Sequence, residues 1–213
     1  MNKLVNYILK DKSFPMVFTF QNFVHLGYTK ELYDAYIKEA VQDKYIEQVY
    51  GDIYALTVQY TDTFLPIEVL SQMIMPDSYV STYFVLYDYG WIPESIFAVT
   101  GVTTGKKCII DTEKCGTYIY YNIYNKEQKS GIYLEKEKDG CYKIATPLRA
   151  LCDLLYLQEK SYTSTDELYE DYRIDKASIV QDVSSRDFNE LQGTFGIESI
   201  EYFLKSLRNE LQL

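Results

Sequence analysis

The chain has 213 residues, 47% of them hydrophobic, and a net charge of −10. Its apolar runs end well before the ~20 residues that a membrane span needs, and its start lacks the pattern of a secretory signal. We therefore expect a cytoplasmic protein with no membrane partner. The negative charge disfavours a large phosphate-binding surface, but it is unevenly distributed: residues 1–60 carry −1, whereas residues 161–213 carry −6.

Few residues are suited to covalent or metal chemistry. The single histidine, His25, lies among apolar neighbours, and the chain has no glycine-rich phosphate loop. The spacing of the cysteines matches no common zinc motif. They are Cys108, Cys115, Cys141 and Cys152. We therefore predict a non-enzymatic protein with no catalytic residue, no cofactor and no bound metal.

Residues 1–60 predict three short helices followed by a hairpin. Apolar residues at 4, 5, 8 and 9 form one face of a first helix, and Thr19 and Gly27 are suited to begin and end a second. Thr29 is suited to begin a third helix, which the apolar spacing extends to about residue 43. Strand-like runs at 45–50 and 53–56 flank a Gly-Asp turn. Because the second and third helices are so closely linked, this order predicts a winged helix-turn-helix domain over 1–60.

In a winged helix the third helix enters the major groove through its N-terminal residues, and the hairpin contacts the backbone. The residues in the corresponding positions are Tyr28, Thr29, Lys30, Asp34, Lys38, Lys44, Gln48 and Tyr50. We predict that they contact DNA. Winged helices also bind proteins, and a nearly neutral module gains little from counterion release. A regulator that binds a protein partner without DNA contact therefore remains an alternative.

The rest of the chain predicts a linker helix within 61–75 and a larger α+β domain over 76–213. A helix is expected from residue 79, ending at Gly90 and Pro93. Strands are expected at 96–103, 117–124, 132–135 and 141–144, and helices at 147–157, 167–172 and 197–211. The fold class is therefore α+β, with a small, mostly antiparallel sheet and an acidic helical tail.

One group of residues has a composition also found in metal-dependent nucleases. Asp111 is followed, after the strand predicted at 117–124, by Glu127 and Lys129. Two carboxylates would have to converge on one cation for that chemistry. Because charged residues make up 24% of the chain, a solvated turn is the simpler interpretation. A nuclease centred on Asp111 and Glu127 is the second alternative.

Several motifs, taken in order, resemble the AbiEi family of antitoxins from type IV abortive-infection toxin-antitoxin systems. They are Gly-Asp-Ile-Tyr-Ala at 51–55, Tyr-Val-Ser at 79–81 with Leu86, Gly90, Ile92 and Pro93, Val-Thr-Thr-Gly at 102–105, Gly-Thr-Tyr-Ile-Tyr at 116–120, and Ala-Thr-Pro-Leu-Arg-Ala-Leu-Cys-Asp-Leu at 145–154. The resemblance covers roughly residues 15 to 160. In the last motif Leu148 stands where the family usually has a glutamate.

The resemblance implies a winged helix that represses its own operon by binding inverted repeats in the promoter. It also implies a larger domain that counteracts a nucleotidyltransferase-like toxin. From the residues alone, the helix beginning at Pro147 is expected to pack on the sheet, with Asp153 directed either to a partner such as Arg149 four residues earlier or to a backbone donor.

Overall fold

The computed structural model of the chain describes residues 2–61, 65–123, 129–160, 162 and 164–213. Within these ranges, no helix combines the length and hydropathy of a bilayer span. The predicted strand residue Tyr124 and the predicted ligand Glu127 lie outside the described residues. The helices are α1 (Lys3–Lys10), α2 (Lys30–Gln42), α3 (Ile67–Ile74), α4 (Tyr83–Asp88), α5 (Pro147–Gln158), α6 (Thr165–Tyr172), α7 (Lys176–Asp182), α8 (Ser185–Leu191) and α9 (Glu198–Glu210). The strands are β1 (Val17–Phe18), β2 (Ile46–Tyr50), β3 (Ile53–Leu56), β4 (Ser78–Val80), β5 (Ala98–Thr103), β6 (Cys108–Thr112), β7 (Gly116–Asn122), β8 (Ile132–Glu137) and β9 (Gly140–Ala145).

The first part of the chain forms a small helical layer on a three-stranded antiparallel sheet, ordered β1-β3-β2. A 3₁₀ helix at Phe20–Leu26 occupies the position of the predicted second helix, and Thr19 and Gly27 cap it as expected. Gly27 has a φ of 77°, a left-handed conformation that glycine adopts without steric cost. The predicted first and third helices and the hairpin are confirmed as α1, α2 and β2-β3.

The larger sheet has six strands in the order β6-β7-β5-β4-β9-β8. It is mixed, because β5 runs parallel to β7 and β4 runs parallel to β9. The other three pairings are antiparallel, so antiparallel pairing still predominates, in a mixed sheet with more strands than expected. Strand β6, which the sequence did not predict, forms a hairpin on the outer side of β7, and β7 lies between it and β5.

The helix predicted from residue 79 begins later, because Ser78–Val80 is strand β4. Tyr79 and Ser81 extend to one side of this segment and Val80 to the other, which is the period of a strand. The chain then turns at Thr82, whose φ is 58°, and α4 follows. The stop predicted at Gly90 is confirmed by its φ of 70°.

Helices cover the large sheet on both faces. On one face α3 buries Val69 and Leu70, and the Ser71 hydroxyl lies 3.2 Å from the hydroxyl of Tyr120. Helix α3, which lies in the segment predicted as a linker helix, therefore contributes to the core. On the opposite face α5 packs through its buried side chains, and Asp153 reaches β4. The sheet is thus the middle of three layers.

The small sheet also packs on the larger one. The side chains of Val17, Ile53 and Ala55 belong to the same buried cluster as α3 and the large sheet. The alternating residues Phe18 and Leu56 instead pack with α1 and α2 in a second, smaller cluster. Because successive side chains in a strand point to opposite faces, one three-stranded sheet separates and serves two cores. The division of the chain into units at 60 and 75 stays a prediction.

Polar contacts hold the two sheets together at two separate places. The backbone N–H of Met16 donates to Asp139 Oδ1 at 2.7 Å, next to the turn between β8 and β9. Glu47 on β2 pairs with Lys114, in the turn between β6 and β7. Each of these turns lies at the end of a hairpin, and the two hairpins form the two edges of the large sheet. The small sheet therefore contacts both ends of it.

Arg149 and Asp153, both on α5, form a fully buried ion pair that also contacts β4. Arg149 Nε donates to Asp153 Oδ1 at 2.8 Å, and both side chains have no exposed surface, so the predicted pairing is confirmed. The other carboxylate oxygen of Asp153 accepts from Ser81 at 2.7 Å and from Tyr79 at 3.0 Å. Burial raises the pKa of the Asp153 carboxyl, whereas Arg149 and the two hydroxyl donors lower it.

Each of the three nitrogens of the Arg149 guanidinium donates one hydrogen bond. Besides Asp153, the guanidinium donates to the backbone carbonyl of Ser130 at 2.9 Å and to the Tyr79 hydroxyl at 2.9 Å. It also lies 4.7 Å from the centre of the Phe195 ring. One side chain thus connects α5, β4, the loop before β8 and the C-terminal helices.

We expect the Asp153→Asn variant to lose about 3–5 kcal/mol of unfolding free energy, because it leaves the buried charge of Arg149 without a counterion. Asp34→Asn is the matched control, since Asp34 is exposed and pairs with Lys30 at the same i, i+4 spacing. Its effect should stay below about 0.5 kcal/mol. Urea unfolding of both variants measures the difference. Equal unfolding midpoints would show that the buried pair adds nothing to stability.

Candidate nucleic-acid interface

Helix α2 has a defined start and an exposed outer face. Thr29 adopts an extended backbone, and its side chain accepts from the N–H of Leu32 at 3.3 Å, which confirms it as the N-cap. Tyr33, Ile37 and Ala40 are buried against the rest of the module. Tyr28, directly before the cap, is half-buried. The N-terminal end of α2, where backbone N–H groups create positive potential, is therefore exposed to solvent.

Lys30 is exposed, but its charge is already compensated. Its ammonium pairs with Asp34 one turn along α2 and lies 5.2 Å from the centre of the Tyr33 ring and 5.7 Å from that of Phe20. The hydrogen bond to Asp34 raises the pKa of Lys30, and the charge of Asp52 in the hairpin turn acts in the same direction. Lys30 and Asp34 therefore contribute little net charge to this surface.

The predicted residues of the hairpin lie beside α2 but take part in local contacts. The carbonyl of Lys44 accepts from the Thr57 hydroxyl at 2.9 Å, while its ammonium is in solvent. The side-chain amide of Gln48 donates to the carbonyl of Gly51 across the turn. Tyr50 is 41% exposed. The hairpin is thus fixed by its own hydrogen bonds and by the contact of Glu47 with Lys114.

The outermost stripe of α2 includes residues that the sequence analysis missed. At 100° per residue, the side opposite Tyr33, Ile37 and Ala40 carries Glu31, Ala35, Lys38 and Gln42, and all four are exposed. Among the residues that the structure describes, the side chains of Glu31, Lys38 and Gln42 have no hydrogen-bond or ion-pair partner. Of this stripe only Lys38 was predicted. The burial period of the helix would have identified the other three.

The other candidate sites do not come together in the same way. Asp111 is exposed and accepts from the Thr117 hydroxyl at 2.7 Å, while Glu127 lies outside the described residues. Within the described ranges, no three His, Cys, Asp or Glu side chains are arranged as metal ligands would be. Ser81 contacts a carboxylate, but both Ser81 and Asp153 are fully buried, so a substrate has no access to them.

We expect Thr29→Ala to lower the unfolding free energy by about 1 kcal/mol, because the N–H of Leu32 loses its side-chain acceptor. Thr29→Ser keeps that oxygen and is the matched control, with no loss of stability expected because serine caps helices at least as well as threonine. Chemical unfolding of the full chain measures both values. Equal stability of the alanine and serine variants would rule out a capping role.

A scan of the sequence against models of known protein families finds no match. A search of curated proteins finds no similar sequence either. The resemblance to abortive-infection antitoxins therefore rests on the order of the motifs in the chain. What it implies about function is carried forward as a proposal.

Proposed function

We propose that the chain is a DNA-binding repressor and antitoxin of the AbiEi type, with a winged helix at its N-terminus. The observation that carries the DNA-binding part is the outer face of α2. It is exposed along its length, begins at a capped helix end and lies beside an antiparallel hairpin. An α-helix presented in this way fits the major groove of B-DNA, and a neighbouring hairpin can reach the backbone.

The charge of the module limits how tightly a single copy can bind. Residues 1–60 carry a net charge of −1, and Lys30 is paired. Since non-specific affinity for DNA comes chiefly from neutralised phosphates, one copy would bind weakly. Two copies on an inverted repeat would combine two modest contacts, because the second contact forms at a high effective concentration. A need for two copies agrees with the proposed repressor, which would bind inverted repeats in its own promoter.

The antitoxin activity is assigned to the larger sheet and its helices. Two of the motifs that carry the resemblance, at 79–81 and 145–154, contain the buried pair Arg149 and Asp153 and its partners Tyr79 and Ser81. These residues determine how α5 packs on β4. The two motifs therefore support an architecture shared with the AbiEi family. We propose that this part counteracts a nucleotidyltransferase-like toxin.

A second candidate function is a protein-binding regulator that makes no contact with DNA. The compensation of Lys30 by Asp34 and Asp52 favours it, because a helix start that binds phosphate normally keeps its cations available.

The DNA-binding proposal predicts salt-dependent retention of the duplex from the chain's own promoter. The logarithm of the binding constant should fall linearly with the logarithm of salt concentration, and Lys44→Gln should reduce the slope by about 0.9 for one lost phosphate contact. Lys205→Gln, an exposed lysine on α9, is the charge-matched control and should leave the slope unchanged. Titrations at several salt concentrations measure the slopes. Absence of retention at low salt would favour the protein-binding candidate.

The antitoxin proposal predicts that a gene next to this one encodes a nucleotidyltransferase-like toxin. Expression of that gene alone should stop growth, and co-expression of the full chain should restore it. Growth curves with an inactive toxin variant as control measure the effect. If the neighbouring gene is harmless, or if the full chain does not restore growth, the antitoxin assignment is wrong, whatever the outcome of the DNA experiment.

A further inference from the structure

We propose that Glu31, Ala35 and Lys38 of α2 are the residues that read the base sequence, an inference that rests on the proposed DNA binding. It assigns specificity to the first three residues of the outermost stripe of the helix rather than to Lys30 and Asp34. The assignment rests on three observations: the direction of these side chains, their lack of partners, and their chemistry.

The direction follows from burial on α2. Tyr33, Ile37 and Ala40 are between 1% and 4% exposed, so they define the inner face. Glu31, Ala35 and Lys38 follow one another at spacings of four and three residues on the opposite side, and each is exposed. A groove that received α2 would therefore meet these three side chains first. Lys30 and Asp34 lie on the flank, about a quarter turn away.

Glu31 and Lys38 differ from Thr29 and Lys30 in whether their side chains are available to bind a ligand. Lys30 is held by Asp34 and by two aromatic rings, and Thr29 is used as the helix cap. Glu31 and Lys38, by contrast, have no hydrogen-bond or ion-pair partner within the part of the chain that the structure describes. Binding to bases would cost these two side chains no internal contact.

The chemistry of the stripe matches the major-groove edges of the bases. A lysine ammonium donates to O6 and N7 of guanine, a glutamate accepts from the N4 amino group of cytosine, and the methyl group of alanine packs against that of thymine. From residue 31 to residue 38 the helix rises about 10 Å, which corresponds to about three base pairs. The stripe thus fits a short half-site that contains a guanine.

The stripe also explains how a nearly neutral module could select a sequence. Glu31 and Lys38 carry opposite charges, so together they add no net attraction to phosphate. The carboxylate of Glu31 is repelled by the backbone and is tolerated only where it accepts a hydrogen bond from a base. A surface of this kind gains discrimination rather than affinity, because an unsuitable base leaves both groups unpaired.

The test is a selection of duplexes from a randomised pool by the full chain at low salt. The wild-type chain should enrich a motif with one strongly preferred guanine. Lys38→Gln should move that preference to adenine, with a change of about tenfold in the ratio of the two bases, because a carboxamide pairs with N6 and N7 of adenine. Glu31→Gln should weaken a cytosine preference at a second position and leave the first unchanged.

Lys205→Gln is the control, since it makes the same change of charge on an exposed helix surface outside the module. It should select the wild-type motif. If both α2 variants also select the wild-type motif, the base-reading assignment is overturned while DNA binding stands. If the wild-type chain retains duplexes but enriches no motif, the assignment is again overturned. If it retains no duplex, the proposed DNA binding falls together with it.

Discussion

The architecture depends on one buried charge, the guanidinium of Arg149, and on the groups that surround it. An isolated charge in a protein interior is very costly, so the fold must bring it several partners at once. Those partners come from four separate segments: Asp153 on α5, Tyr79 on β4, the carbonyl of Ser130 before β8 and the ring of Phe195. The observed placement of α5, the sheet and the C-terminal helices satisfies them together. A buried pair of this kind contributes modestly to stability when compared with apolar residues, but removal of one partner leaves the other charge uncompensated and is strongly destabilising.

The opposite face of the same sheet determines how the N-terminal module is held. Ile53 and Ala55 pack into the core that α3 and the large sheet share, while Leu56 packs under α2. The hairpin that lies beside the candidate interface is therefore also a structural part of the larger body. Since the interior is close-packed, a displacement of the hairpin would disturb both cores. It follows that α2 is presented in one orientation relative to the rest of the chain, as the proposed binding of two copies to one duplex would require.

Interactions between residues close in the sequence were enough to predict the helix ends of the N-terminal module. Interactions between distant residues explain what was missed. Thr19, Gly27 and Thr29 act through neighbours within four residues, so the sequence alone located the helix ends. Strand β4 was mistaken for a helix because its apolar residues also fit helical spacing, and the partner that selects the strand, Asp153, is more than 70 residues away. The pairing of Lys30 with Asp34 follows from i, i+4 spacing, whereas the approach of Asp52 depends on the folded hairpin. The main compensation of Lys30 could therefore be predicted from sequence, whereas the smaller contribution of Asp52 could not.

The distribution of charge has a further consequence for recognition. A repressor with many free lysines binds any duplex and then needs base contacts to distinguish its own site from an excess of others. This module has little surplus charge near α2, so its non-specific binding should be weak from the start. Specificity is a difference between affinities, and the phosphate term is common to all sequences, so weakening it leaves discrimination to the base contacts. In the proposed mode of DNA binding, the acidic residues around Lys30 would reduce attraction to phosphate at any sequence, and the outer stripe of α2 would supply the discrimination between bases.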